Sequence, residues 1–175
     1  LDPLEMEVFN TDKEELDITD TDEVLNFGVI NRPDVIINCA AVTDTDFCEK
    51  EPELAYRVNA LGARNLSIVA RKTGAKMVQI STDDVFDGIR HTPYTEFDDT
   101  NPKTVYGRSK RAGENYVKEF THKHFILRSN WVYGNGNNFV NRVLHAADTK
   151  DELLLHLISL VLRPVQKTWH VLFFI

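Results

Sequence analysis

Residues 34 to 41, Asp-Val-Ile-Ile-Asn-Cys-Ala-Ala, constrain the fold more tightly than any other stretch of this chain. Apolar side chains occupy consecutive positions, so the run reads as a strand that is apolar on both faces, as a central strand of a parallel sheet is. Helical patterns flank it and further apolar runs follow. The expected fold is therefore α/β, a doubly wound parallel sheet. The strand closes on small residues, which let backbone amides approach a bound group at the carboxyl end of the sheet, where open α/β sheets bind ligands.

Taken in order, Met6 to Asn10 alternate like a strand and end at Thr11-Asp12-Lys13. Leu16-Asp17-Ile18-Thr19 predicts a second short strand. Asp20-Thr21-Asp22-Glu23 supplies a helix cap and an acidic first turn, favourable at the positive helix end. That helix runs through Val24, Leu25, Phe27 and Ile30 until Arg32-Pro33 stops it. Thr43 to Asp46 are predicted to be a loop. Pro52 to about Thr73 form one helical pattern, with Gly74 suited to a left-handed stop. Met77-Val78-Gln79-Ile80 predict a buried strand, Val85 to Thr100 an acid-rich loop, Thr104 to about Phe120 a helix, and Phe125 to Arg128 another strand.

The chemistry concentrates between Ser81 and Lys110. Tyr106 and Lys110 stand four residues apart, on one helix face about a turn from each other. A phenol near its reference pKa of about 10 is a poor acid–base catalyst at neutral pH, and a neighbouring ammonium is expected to lower it. Thr82 would present its hydroxyl at a strand's carboxyl end. A Tyr-x-x-x-Lys spacing alone also occurs on many solvated helices.

The surroundings are more specific. Ser81-Thr82-Asp83-Asp84-Val85-Phe86-Asp87-Gly88, Pro93-Tyr94, Asn101-Pro102 before the Tyr-Lys helix, Asn38-Cys39-Ala40-Ala41, Leu127-Arg128 leading into Trp131-Val132-Tyr133-Gly134, and Asn138-Phe139-Val140 occur in order and at compatible spacings. Together they resemble the extended short-chain dehydrogenase/reductase superfamily, and within it the dTDP-4-dehydrorhamnose reductase family. The resemblance covers roughly Val8 to Leu144. It implies a Rossmann-type domain that reduces a 4-keto nucleotide-sugar with NADPH or NADH. Implied catalytic residues are Thr82, Tyr106 and Lys110. Implied on the cofactor side are Asp17 and Ile18 near the adenine, Asn38, Cys39, Ala40 and Ala41 along the cofactor, Asn59 behind it, and Tyr106 with Lys110 again. Asp12 is the candidate for the adenosine ribose, while Lys13 beside it suits a 2′-phosphate, which leaves the choice of cofactor open. Thr82, Asp83, Val85, Phe86 and Trp131 are implied on the substrate side. Val42 and Asp84 depart from the family pattern, the latter standing where tyrosine is usual. The family's first strand and Gly-x-x-Gly-x-x-Gly loop are expected to precede Leu1, so the chain reads as a fragment truncated there and in its C-terminal substrate-binding part.

Composition narrows the partners. A net charge of −7 with no basic run argues against nucleic acid, so an anionic substrate has to be met by local donors. Cys39 and Cys48 lack metal-type spacing and read as reduced thiols, with a disulfide as the alternative. No signal peptide is expected, and Leu153 to Leu162 have about half the ~20 residues that span a bilayer. A cytoplasmic protein with no membrane partner, a homodimer as its assembly, a partial cofactor domain over 1–144 and an unassigned apolar tail over 145–175 are the expectations. Two other readings remain open: a non-catalytic regulatory subunit resembling the beta subunit of methionine adenosyltransferase, and an inactive fragment.

Overall fold

The computed structural model describes residues 7–130 together with Val132, Asn141, His145 and Asp148. The order of elements is α1 (Thr21–Asn31), β1 (Val35–Asn38), α2 (Thr45–Lys50), α3 (Pro52–Tyr56), a π-helical segment (Arg57–Gly62), α4 (Ala63–Thr73), β2 (Lys76–Thr82), α5 (Val105–Phe120) and β3 (His124–Ser129). The described strands form one parallel sheet in the order β1-β2-β3. Among the described residues no helix is long and apolar enough to cross a membrane.

Side-chain alternation divides the sheet into two faces. Ile36, Met77 and Ile126 point into a core with Val24, Leu66, Val69, Ala70 and Val117, contributed by α1, α4 and α5. Ile37, Val78 and Phe125 share one row on the other face through the registers Ile37↔Val78 and Val78↔Phe125. There Ile37 is 52% and Phe125 61% exposed. The expected covering of β1 on both faces therefore holds for only one face among the described residues.

Four expectations along the chain are corrected. Residues 7–12 form no strand; Phe9 instead sets its ring edge against Phe27 at 6.3 Å. Leu16 to Thr19 form no strand either, and carboxylates in and just before the segment bond amides locally. Asp12 Oδ1 accepts from Glu14 N at 2.8 Å and Glu15 N at 3.1 Å, and Asp17 Oδ1 accepts from Thr19 N at 2.8 Å. The loop after β1 ends at Asp44, whose carboxylate accepts from Phe47 N at 2.8 Å and starts α2. Finally, the helix from Pro52 is interrupted by the π-helical turn, a local widening often found at functional sites.

Candidate active site

Thr82 ends β2 and begins a single 3₁₀ turn, Asp83–Val85, with Oγ1 accepting from Asp84 N at 3.2 Å. The same hydroxyl donates to Asp83 Oδ1 at 3.2 Å. α5 starts under two caps: Thr104 Oγ1 accepts from Gly107 N at 2.9 Å, and Glu49 of α2 accepts from Val105 N at 2.7 Å. Gly107 lets this helix lie against the 3₁₀ turn, since any Cβ there would strike the Asp84 carbonyl. Tyr106 is thereby brought near enough to the Thr82 side chain for that group to favour the ionised phenol.

Electrostatics around the phenol differ from the expectation. Burial pushes the Tyr106 phenol up, the Thr82 hydrogen bond pulls it down, and the charges of Asp84, Asp83 and Cys48 push it further up. The Lys110 ammonium is turned to the sheet and donates to Ile80 O at 2.7 Å. Only 4% exposed, Lys110 is lowered by burial to about 8, with Glu114 and Cys39 acting in the opposite direction. Asp83 is raised to about 6, first by burial and then by the Asp84 charge; burial raises Asp84 too.

Behind these groups the polar side chains are tied to backbone. Asn59, in the π-helical turn, accepts from Val42 N at 2.8 Å and donates to Val42 O at 3.0 Å and Ser109 Oγ at 2.9 Å. Ser109 Oγ in turn donates to Tyr106 O at 2.8 Å. A close approach makes this possible, for a Cβ at Gly113 would meet the Asn59 carbonyl. Asn38 donates to Gln79 Oε1 at 2.9 Å and accepts from Ala40 N at 3.1 Å, which fixes the turn out of β1. Cys39 and Ala40 are exposed beyond it, and Cys39 lies within electrostatic reach of Lys110. Both cysteines are free.

Of the sequence-predicted residues, Thr82, Asp83, Tyr106, Lys110 and Asn59 are brought together, with Asn38 to Ala41 alongside. Val85 is fully buried. Phe86 stacks on Tyr94, ring centroids 4.3 Å apart. Asp12 caps its own turn. The Asp17 carboxyl sits below the ordinary range, held by the backbone and side chain of Thr19 and then by the charges of Lys13 and Arg57. Ile18 seats against Gly62. Trp131 lies outside the described residues. The open cleft lined by Val8, Phe9, Asn10, Thr11, Glu15 and Phe27 includes none of the catalytic candidates. Sequence reasoning missed Glu49, Ser109 and Glu114; for Glu114 the signal was available, one further step of four residues beyond Tyr106 and Lys110.

Residues 1–157 match the family described as RmlD substrate binding domain. The chain is 43% identical over 148 residues to the spore coat polysaccharide biosynthesis protein SpsK of Bacillus subtilis, covering 84% of this chain and 52% of that protein. It is 44% identical over 123 residues to dTDP-4-dehydrorhamnose reductase of Escherichia coli, covering 70% of this chain and 41% of that one. The crystal structure of a dTDP-4-dehydrorhamnose reductase from Clostridium acetobutylicum superposes with TM-score 0.82 at 49% identity, over 84% of this chain and 52% of that one. The enzyme from Bacillus anthracis in complex with NADP gives 0.83 at 45%, over 87% and 55%. The chain thus spans about half the length of the curated relatives it matches. These likenesses identify its parallel sheet as that of a Rossmann-type α/β fold.

Proposed function

The chain belongs to the RmlD substrate binding domain family, and from that premise we propose that the protein is an NADPH- or NADH-dependent reductase of a 4-keto nucleotide-sugar of the dTDP-4-dehydrorhamnose type. The observation that carries this reading is the close packing of α5 at Gly107 on the turn that follows Thr82, which sets Tyr106 beside the carboxyl end of β2, one helical turn from a buried Lys110. Relatives with reductase names favour it over the regulatory-subunit reading.

The residues present fit a dinucleotide cofactor. Cys39 and Ala40 offer an exposed ledge with short side chains, its turn held by Asn38, within electrostatic reach of the buried Lys110. Asn38 to Ala41, Lys110 and Asp17 would hold the cofactor, which when bound supplies the hydride. Everything else falls to the chain. The Thr82 hydroxyl hydrogen-bonds the ketone oxygen, and the Tyr106 phenol donates its proton to that oxygen as negative charge develops there. A phenol kept protonated by burial suits an acid. Lys110, one turn along the helix from Tyr106, would turn from the Ile80 carbonyl to serve a cofactor ribose. Asp83 and Phe86 border the substrate, and the reaction is placed in a cytoplasmic route to a deoxysugar nucleotide.

Following NADPH oxidation on addition of a dTDP-4-keto sugar tests this. The complete protein should consume one equivalent of NADPH per ketone, and Thr82→Val should slow it strongly. Absence of ketone-dependent oxidation with either NADPH or NADH would overturn the reading.

A further inference from the structure

The functional face of α5 continues one turn beyond Lys110 to Glu114, which is 0% exposed. A carboxylate removed from water is costly unless it is paired and fully hydrogen-bonded, and this one is. Oε1 accepts from Ser81 Oγ at 2.7 Å and Arg128 Nε at 2.9 Å, while Oε2 accepts from Arg128 Nη2 at 2.7 Å and Arg111 Nη1 at 3.1 Å. Burial pushes the Glu114 carboxyl up, but the bonds from Arg128 and Ser81 and the charges of Arg128 and Arg111 outweigh it and hold the group below its ordinary range.

Two of the three partners of Glu114 lead to the site. Ser81 is the residue before Thr82, and it stands opposite Arg128 in the β2–β3 register. The Arg128 guanidinium lies 5.0 Å from the centre of the Phe86 ring, Phe86 stacks on Tyr94, and Arg90 lies 5.3 Å from the centre of the Tyr94 ring. Tyr94 Oη donates to Asp87 Oδ1 at 2.5 Å, and Asp87 Oδ2 accepts from Asn101 Nδ2 at 3.1 Å. One buried carboxylate thus joins the helix of Tyr106, the strand end of Thr82 and the loop that follows it.

We propose that Glu114 and Arg128 are positioning residues of the reductase site, which hold Thr82 and the Phe86–Tyr94 loop in register with Tyr106. The inference rests on the reductase reading. A bidentate pair suits this task because its two parallel bonds fix orientation as well as distance. Misplacement of reacting groups by about 1 Å can cost on the order of 10²-fold in rate.

The test separates positioning from plain stabilisation. In the complete protein, Arg128→Lys keeps the charge but loses the fork and the flat stacking surface, and Glu114→Gln with Arg128→Met removes both charges together. The paired replacement is expected to restore thermal stability. Positioning predicts that both variants keep cofactor affinity, lose about 10- to 100-fold in kcat/KM for the nucleotide-sugar, and lose amide protection over residues 84–101. Recovery of turnover along with stability in the paired variant would overturn the inference, and so would unchanged protection of that loop. An active parent with unaffected variants defeats this inference alone; a parent that reduces no ketone defeats the reductase reading and the inference with it.

Discussion

If Tyr106 supplies the proton in the proposed reduction, Tyr106→Phe should lower turnover by about 10²–10⁴-fold, the range for general acid catalysis. Its ring stays in place, so cofactor affinity by titration should be largely unchanged; turnover within a few-fold of the parent would remove the phenol from the chemistry. Asp83 gives a second test at this scale. Its folded carboxyl is raised to about 6 from 3.8, so the folded state holds the proton more tightly than the unfolded one. That contribution to stability is fully present below pH 3.8 and is lost as pH rises through about 6. Asp83→Asn should therefore melt above the parent at neutral pH, and the gap should shrink as pH falls through that window. A gap independent of pH would mean that Asp83 has an ordinary pKa. Thr82, Tyr106 and Lys110 were legible in the sequence because helical spacing and a strand end determine their placement. The direction in which the ammonium points was not. It depends on the Ile80 carbonyl of a different element, and the phenol is raised by its burial rather than lowered.

At the scale of elements, α5 packs tightly on the π-helical turn at Gly113, where a side chain would meet the Asn59 carbonyl. Gly113→Ala gains about 1 kcal/mol in helix propensity, but overpacking typically costs about 1–3 kcal/mol. The obstacle is backbone, which cannot rotate aside as a side chain would, so net destabilisation is expected in denaturant unfolding. The replacement should also reduce turnover, since it pushes α5 from the turn that carries Asn59. An equally stable or more stable variant would show that the two helices can separate at little cost. Element identities were legible wherever periodicity met a cap: α1 ends at Arg32 before Pro33, α4 ends at a left-handed Gly74, and α5 begins after Thr104. Residues 7–19 misled because their alternation is local, while Asp12 and Asp17 satisfy the backbone on the spot. The π-helical turn left no mark in composition. It accompanies close approaches at Gly62 and Gly113, which are tertiary facts.

Over the whole molecule, two opposed terms govern how the 175-residue chain behaves when expressed by itself. One is the sheet face carrying Val35, Ile37 and Phe125, which are 46%, 52% and 61% exposed. Full burial of such side chains is worth about 1.5–3 kcal/mol each, and adjacent exposed apolar residues on a sheet invite association. The other is a net charge of −7, which drives copies apart. The charge acts through solvent and is screened over about 8 Å at physiological ionic strength, whereas the apolar term needs only contact. Association should therefore prevail and should strengthen as salt is raised. Light scattering and binding of an apolar fluorescent dye across a salt series measure both effects. Ile37→Thr with Phe125→Thr should weaken association and dye binding together, because threonine keeps the strand preference while removing apolar surface. A parent chain that stays monodisperse and dark to the dye at high salt would show that this face is covered within the chain itself.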